Sequence, residues 1–173
     1  LDINEKAEAT KLLQKEAPIV NTTQDLHFDC TGKTILIVED EKELREYLIE
    51  SFTETFKKVY AADNAISALE TCRKKQPSII VSDVMMPQMD GFELCRQIKN
   101  DIRISHIPVI LLTARYDQTG ITTGYKSGAD SYIPKPFDLA FLKVVVGNIL
   151  KNREKIHSQY VTVTGSPSLL DLT

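Results

Sequence analysis

The stretch IIVSDVMMPQMDG, residues 79–91, carries the pattern from which the fold can be inferred. Its apolar start, Ile79 to Val81, is rich in β-branched residues and predicts a buried strand. The strand leads to one carboxylate, Asp83, which is followed by a Met-Met-Pro turn and an Asp-Gly step. A charge at the end of such a strand is unusual, and we expect the sheet to place Asp83 at an open edge rather than to bury it.

Apolar runs of strand length alternate with helical patterns from Lys33 onwards. This alternation is typical of a parallel sheet that is covered by helices on both faces and joined by right-handed crossovers. The predicted strands are 34–38, 59–62, 78–82, 107–113 and 131–134, and the predicted helices are 41–56, 65–75, 91–100, 119–128 and 138–157.

The chain of 173 residues suits one domain with flanking segments. We expect that domain to be residues 33–157. Residues 1–32 are interpreted as a linker or N-terminal extension, in which Asn4–Glu16 has the pattern of a short amphipathic helix. Residues 158–173 are interpreted as a C-terminal linker, and the VTVT stretch at 161–164 has the alternation of a short edge strand. Because the chain does not begin with Met, it is interpreted as a piece of a longer protein.

Composition excludes several classes of function. With 24 acidic and 21 basic residues, the net charge is −3, which gives no electrostatic footprint for nucleic acid. Since no apolar run approaches the length of a membrane span and no signal peptide is visible, we expect no membrane contact and a cytoplasmic location. Cys30, Cys72 and Cys95 have no metal-ligand spacing, and they are interpreted as reduced thiols.

Polar residues follow four of the apolar strands at their carboxyl ends, where parallel sheets gather their ligands. Glu39 and Asp40 follow the first strand, Asp83 the third, Thr113 the fourth and Lys135 the fifth. The first turn has acids where a dinucleotide-binding protein has glycines, so the edge is suited to a cation rather than a pyrophosphate.

This set of residue types predicts phosphoryl chemistry. Converging carboxylates repel one another, and a hard divalent cation, Mg²⁺ or alternatively Mn²⁺, relieves that repulsion while keeping water that a phosphate can displace. Asp83 is then a candidate nucleophile that forms an aspartyl phosphate. Lys135 can neutralise the phosphoryl group, and the Thr113 hydroxyl can donate to its oxygens.

Four motifs in this order, VEDE, SDVMMPQMDG, LLTA and GADSYIPKPF, closely resemble the receiver domain of two-component response regulators. The resemblance covers about residues 33–152. It implies a flavodoxin-like (βα)5 fold, a doubly wound parallel sheet with strand order 2-1-3-4-5. It also implies Asp83 as the phospho-acceptor, Asp40 as a direct metal ligand, Glu39 as an acid acting through water, and the backbone carbonyl of Met85 as a further ligand.

The same resemblance implies how the site switches. Thr113 matches the switch hydroxyl, Lys135 the family's lysine, and Tyr132 the aromatic that changes rotamer with Thr113, although plain packing is an equal alternative for Tyr132. The Lys135–Pro136 bond is expected to be cis, which X-Pro bonds adopt at low cost. A histidine kinase would phosphorylate Asp83, and the face formed by the fourth helix, fifth strand and fifth helix would respond.

Several alternatives remain at this point. The last helix is apolar enough for a homodimer surface on that face, and a broad core-facing helix is the equal alternative. A phosphatase of the haloacid-dehalogenase type would need a second acid at Met85, and flavodoxin would need a neutral first loop. A pseudo-receiver that takes no phosphate is disfavoured by the complete acid set. We expect no catalysis beyond self-phosphorylation and autodephosphorylation. The receiver is expected in either a hybrid regulator of transcription, with DNA binding in another segment, or a free-standing regulator. As an alternative to a fully cytoplasmic protein, it would be the cytoplasmic part of a membrane-anchored hybrid kinase.

Overall fold

The structure is a computed structural model that describes residues 30–114, 122 and 126–164, the last five of these as backbone only. The predicted helix Asn4–Glu16 lies outside the described residues, as does most of the predicted helix 119–128. Five strands are present: β1 (Cys30–Val38), β2 (Phe56–Ala62), β3 (Ile79–Asp83), β4 (Val109–Thr113) and β5 (Ser131–Pro134). Four described helices are α1 (Lys42–Thr53), α2 (Ala65–Lys75), α3 (Gly91–Asn100) and α4 (Leu139–Thr164).

The five strands form one parallel sheet in the order β2-β1-β3-β4-β5, which confirms the predicted topology. Its register aligns the strand ends, with Val38 opposite Ser82, and Asp83 opposite Leu112. The residues that follow β1, β3, β4 and β5 therefore meet at one edge of the sheet, which we call the carboxyl edge.

Helices cover both faces of the sheet, as the apolar strands predict. Residues of α2 and α3 pack on one face, and residues of α1 and α4 pack on the other. β3 and β4 are buried along their whole length. This double cover explains the continuous Ile, Val and Leu runs, because both faces of each central strand are in contact with apolar side chains.

Local polar contacts explain where two helices begin. The side chain of Asn64 accepts a hydrogen bond from Ser67 N–H at the start of α2, and Asp90 accepts one from Glu93 N–H at the start of α3. Such caps satisfy backbone donors that the helix itself leaves free. The predicted bounds of α2, α3 and β5 agree with the structure.

The first two strands are longer than predicted. β1 begins at Cys30 rather than Thr34, with an irregularity in its pairing between these residues, and Cys30 pairs with Phe56. Phe56 was predicted to end the first helix, but α1 ends at Thr53 and Phe56 begins β2. Its position four residues after Phe52 mimics helical spacing, although the two rings meet edge-on across the turn at 5.8 Å.

The last helix is also longer than predicted. α4 continues to Thr164, so the predicted edge strand at 161–164 is wrong, and the predicted linker begins as helix. No proline interrupts residues 139–164, the one glycine there, Gly147, is tolerated within the helix, and adding residues to an existing helix is easier than starting a strand. On α4, Leu142 and Val146 are buried, whereas Phe141 is 54% exposed.

Two further expectations concern thiols and membranes. Cys30, Cys72 and Cys95 are all buried and none forms a disulfide, as expected for reduced thiols. Burial raises the pKa of the Cys72 thiol to about 12, which keeps it protonated. None of the helices that the structure describes has both the length and the apolar character required to cross a membrane.

Candidate functional site

The three acids predicted to converge do meet at the carboxyl edge. Glu39, Asp40 and Asp83 each place one carboxylate oxygen within 4.8 Å of the others. Glu39 and Asp40 lie between the end of β1 and the start of α1, and Asp83 is the last residue of β3. Oxygen ligands at this spacing form the type of cluster that a hard divalent cation prefers.

Asp83 is buried, which corrects the expectation of an open edge. Only 4% of Asp83 and 1% of Glu39 is exposed, whereas Asp40 is exposed. β3 is the central strand, and the segment that follows it folds back so that Gly91 N–H donates to Val84 O at 2.9 Å. The neighbouring strands and this returning segment enclose Asp83 more completely than a bare strand end would.

Gly91 permits this close return of the chain. A Cβ atom added to Gly91 would lie 2.3 Å from the carbonyl oxygen of Asp83 and 2.9 Å from the Cα of Val84. No side chain fits into that space without moving backbone. The glycine of the Asp-Gly step therefore allows α3 to start directly against the backbone of Asp83.

Lys135 connects two of the acids. Its Nζ donates a hydrogen bond to Glu39 Oε2 at 2.9 Å and lies 3.1 Å from Asp83 Oδ1. The backbone N–H of Lys135 donates to Thr113 O at 2.6 Å, and the Lys135–Pro136 bond is cis. β5 thus delivers the ammonium group into the acid cluster, as its place after the fifth strand predicts.

One oxygen in this cluster is incompletely satisfied. Although Lys135 lies within ion-pair distance of Asp83 Oδ1, no hydrogen bond from the part of the chain that the structure describes reaches that oxygen. The ammonium group directs its hydrogen bond at Glu39 instead. A buried carboxylate oxygen without a hydrogen bond is costly and rare, and a bound cation would satisfy it. The residues present therefore fit a divalent metal ion.

The pKa values at the site also show that the burial of Glu39 is incompletely compensated. Burial raises the pKa of Glu39, and the neighbouring charge of Asp83 raises it further, while the hydrogen bond from Lys135 only partly opposes these effects. For Lys135, burial opposes the charged form, but Glu39 and Asp83 outweigh it and raise the pKa. Lys135 is therefore cationic at neutral pH, and Glu39 is the acid whose ionisation its surroundings disfavour.

The turn that carries Glu39 and Asp40 is held from the first helix. Glu39 Oε1 accepts a hydrogen bond from Glu41 N–H at 3.2 Å. The guanidinium of Arg45 donates to the backbone oxygens of Glu39, at 2.7 Å, and of Asp40, at 3.1 Å. No pattern in the sequence indicates this contact, because an arginine within a helix is ordinarily expected to point to solvent.

The remaining predicted residues lie around this centre. Thr113 is fully buried at the end of β4. Tyr132 is half-buried on β5 and stacks on Phe92 of α3, with ring centroids 6.2 Å apart and planes 14° apart. The side chain of Met85 is 58% exposed, so Met85 is a loop residue rather than a packing residue, whereas Met86 packs in the core.

Comparisons with known proteins agree on one family. A family model described as the response regulator receiver domain matches residues 35–146. Histidine kinase P4 of Formosa agariphila is 41% identical over 140 residues, which cover 81% of this chain and 10% of that protein. Transcriptional regulatory protein AfsQ1 of Streptomyces coelicolor is 37% identical over 122 residues, which cover 70% of this chain and 53% of that protein.

Among solved structures, the signal receiver domain of a signal transduction histidine kinase from Syntrophus aciditrophicus aligns with a TM-score of 0.60 and 31% identity. The alignment covers 82% of this chain and 98% of that domain. The chain belongs to the response regulator receiver family. It is a phospho-accepting receiver domain of a two-component system, and the family resemblance and strand order expected from the motifs are confirmed.

This membership fixes the general role of the receiver domain. Receiver domains are signalling modules rather than classic enzymes, they interact with histidine kinases, and they bind Mg²⁺ at an acidic pocket. Membership also removes the phosphatase and flavodoxin alternatives. The chain spans about a tenth of the matched kinase and about half of the matched regulator.

Proposed function

We propose that Asp83 is the residue that accepts the phosphoryl group. The observation that carries the proposal is its placement: Asp83 ends the central strand, is buried beside Lys135, which links it to Glu39, and keeps an oxygen that no described hydrogen bond satisfies. A rigid strand end fixes a nucleophile in position, which is the main contribution a protein makes to phosphoryl transfer. Asp40 lacks this enclosure because it is exposed.

The transfer itself can be written with named bonds. A carboxylate oxygen of Asp83 attacks the phosphorus of a phosphohistidine on a kinase, the new P–O bond forms, and the P–N bond to the imidazole breaks. The electron pair of that bond stays on the imidazole nitrogen. Lys135 pairs with the phosphoryl oxygens, and the hydroxyl of Thr113 donates to one of them. In autodephosphorylation, water attacks the phosphorus of the aspartyl phosphate, a new P–O bond forms, and the P–O bond to Asp83 breaks. The products are inorganic phosphate and the free carboxylate, and no further catalysis is proposed.

Asp40, Asp83 and the backbone carbonyl of Met85 would hold Mg²⁺, or Mn²⁺ in its place, and Glu39 would act through water. When bound, the ion supplies positive charge that offsets the repulsion among the carboxylates and on the phosphoryl group. Asp83 Oδ1 supports this donor set, because this buried oxygen lies 3.1 Å from Lys135 Nζ but accepts no hydrogen bond from the described residues. The three side chains are acids, as a hard cation requires.

Phosphorylation would be passed to a surface through Thr113 and Tyr132. Once Thr113 and Lys135 are drawn towards the phosphoryl group, the ring of Tyr132 can turn inwards, away from its stack on Phe92. The change would bias the surface of β5 and α4. The exposed Phe141 on α4 is consistent with a homodimer or an output partner on this face.

The wider context is also part of the proposal. The similarity to a histidine kinase and to a transcriptional regulatory protein supports a receiver inside a hybrid regulator of transcription, and a free-standing regulator is the alternative. The receiver unit would begin at Cys30, where β1 begins, and end within α4, with flanking segments on both sides. DNA binding would then reside in another segment, and the receiver would act in the cytoplasm.

Intact-mass spectrometry with acetyl phosphate as the phosphoryl donor tests this proposal. We expect the wild-type chain to gain the mass of one phosphoryl group in the presence of Mg²⁺, and Asp83→Asn to gain none. Asp90→Asn is the matched control, because Asp90 is an exposed carboxylate at the start of α3 that should leave labelling unchanged. Labelling that persists in Asp83→Asn, or a wild-type chain that is never labelled, would overturn the assignment, and the second result would favour a pseudo-receiver.

A further inference from the structure

Arg45 reaches back from α1 to the turn that carries two of the three site acids. Its Nη1 donates to the carbonyl oxygen of Glu39 at 2.7 Å and to that of Asp40 at 3.1 Å. Both carbonyls belong to the residues between β1 and α1, so one guanidinium spans the turn. Hydrogen bonds from a charged donor are stronger than neutral ones, and a pair of them from one group fixes orientation as well as distance.

Arg45 differs from the other arginines that the structure describes. Each of the others forms an ion pair with a carboxylate: Arg73 and Arg103 with Asp101, Arg96 with Glu93, and Arg153 with Asp130. Among the described residues, Arg45 forms no such pair, although Glu41 lies one turn before it and Glu46 follows it directly. Its side-chain hydrogen bonds go instead to the two backbone carbonyl oxygens of the turn.

The two acids depend on this turn to different degrees. The Glu39 carboxylate is also held by Glu41 N–H and by Lys135. The Asp40 carboxylate is exposed and accepts no hydrogen bond from the described residues, so its backbone position is what keeps it within reach of the cluster. A group that fixes the backbone of Asp40 therefore helps to keep this carboxylate near Asp83.

We propose that Arg45 is a positioning residue that strengthens Mg²⁺ binding at the acid cluster although it is itself a cation. It acts by holding the backbone of Glu39 and Asp40 so that both carboxylates face Asp83. This inference deepens the proposed function and rests on the acid cluster as the Mg²⁺ site. Contacts that orient metal ligands typically change metal affinity by roughly 10- to 100-fold when removed.

Charge and positioning predict effects of opposite sign when Arg45 is neutralised. If only its positive charge mattered, then removing it would reduce repulsion and make Mg²⁺ bind more tightly or equally well. If its hydrogen bonds to the turn matter, then removing it makes Mg²⁺ bind more weakly. The direction of the change in affinity therefore separates the two explanations.

The test is a titration of the unfolding temperature with MgCl₂, from which an apparent dissociation constant follows. We expect Arg45→Met to bind Mg²⁺ about tenfold more weakly than the wild-type chain. Arg45→Lys retains the charge but not the forked donor geometry, and we expect an intermediate loss. Lys42→Met is the matched control: it removes a cation from the first turn of α1, where Lys42 pairs with Glu46 across 3.7 Å, and should not weaken binding.

The Mg²⁺ dependence of the rate of phosphorylation by acetyl phosphate provides a second measurement. In Arg45→Met, we expect the Mg²⁺ concentration that gives half the maximal rate to rise about tenfold, while the rate at saturating Mg²⁺ stays close to that of the wild-type chain. A general loss of structure would instead lower the saturating rate. If Arg45→Met does not fold, the affinity of Arg45→Lys decides the question.

Equal or tighter Mg²⁺ binding by Arg45→Met, or by Arg45→Lys where only the latter folds, would overturn the positioning role and leave the proposed function intact. If the wild-type chain itself shows no stabilisation by Mg²⁺, the acid cluster is not the metal site, and both proposals fail together. The wild-type titration distinguishes the two failures, because the wild-type chain is stabilised by Mg²⁺ in the first and not in the second.

Discussion

Two clusters of charged side chains at opposite edges of the same sheet differ in how completely their carboxylates are hydrogen-bonded. At the carboxyl edge, Lys135 lies between Glu39 and Asp83. At the opposite edge, where the strands begin, Asp130 lies between Lys99 and Arg153. Both clusters contain partly or fully buried carboxylates with cations within 3.1 Å, so proximity of opposite charges does not distinguish them.

Both oxygens of Asp130 have hydrogen-bond donors. Oδ2 accepts from Lys99 Nζ at 3.0 Å and from Val109 N–H at 2.9 Å, and Oδ1 accepts from Arg153 at 2.8 Å. Burial opposes ionisation of Asp130, but the hydrogen bonds from Val109, Lys99 and Arg153 outweigh it and lower its pKa. This cluster joins α3, β4 and α4 and needs nothing more, as expected of a structural ion network.

The carboxyl edge is different because one cation, Lys135, faces two buried carboxylates. One ammonium serves two buried carboxylates, Asp83 Oδ1 has no hydrogen bond from the described residues, and the pKa of Glu39 is raised. A cluster that carries such a deficit is less stable than it could be, and ligand binding can relieve it. The contrast teaches that the unsatisfied cluster, rather than the most complete one, marks the functional site.

Removal of the satisfied carboxylate should have the largest effect on stability. We expect Asp130→Ala to lower the free energy of unfolding by about 2–3 kcal/mol, because Val109 N–H and two cations lose their partner. Urea unfolding at neutral pH measures this change. Lys74→Ala is the control, since its pair with Glu70 is exposed and should contribute no more than about 0.5 kcal/mol. An equal effect of the two substitutions would remove the contrast between the edges.

Urea unfolding of an Asp83 variant should show a change in the free energy of unfolding that is opposite in sign to that of Asp130→Ala. Without divalent cations, we expect Asp83→Asn to raise the free energy of unfolding by about 1 kcal/mol, because it removes a buried charge while Lys135 keeps Glu39. Added Mg²⁺ should stabilise the wild-type chain and have little effect on the variant. If Asp83→Asn is instead destabilised as strongly as Asp130→Ala, then the carboxyl edge is as well satisfied as its counterpart.

The pH dependence of stability should show a smaller contrast. The pKa of Glu39 is raised, so the folded chain keeps a proton that the unfolded chain releases, and stability falls as pH rises from the ordinary carboxyl range to the raised pKa. The pKa of Asp130 is lowered, so its stabilisation is present above the ordinary range and is lost as pH falls below it. Both signs refer to the chain without divalent cations.

Urea unfolding across acidic pH measures both dependences. We expect Glu39→Gln to remove the loss of stability on the rising side, and Asp130→Asn to remove the loss on the falling side. Profiles of the two variants that both match the wild-type profile would contradict the assignment of these pKa shifts.

Much of the fold could be predicted because local and global signals agree. The continuous apolar runs of β3 and β4 indicated a doubly covered sheet, and the predicted starts of α2 and α3 agree with the structure, where Asn64 and Asp90 cap these helices. The errors occur where a local pattern has two meanings. Phe56 has helical spacing yet begins a strand, and the VTVT stretch has strand alternation yet continues α4.

The identities of the acids could also be predicted, but their environment could not. Strand ends at one edge brought Glu39, Asp83 and Lys135 together, as expected from parallel topology. The burial of Asp83 could not be foreseen, because it depends on how closely the segment before Gly91 folds back. Arg45 was missed for a similar reason, since its partners are carbonyl groups, which every residue has.

Trapping the acyl phosphate tests the central claim most directly. Borohydride reduces an acyl phosphate to an alcohol, so a phosphorylated aspartate becomes homoserine, which peptide mass mapping can place at one residue. After incubation with acetyl phosphate and Mg²⁺, we predict homoserine at position 83, with Asp40, Asp90 and Asp130 unchanged. Homoserine at any of those three positions in place of 83 would contradict the account.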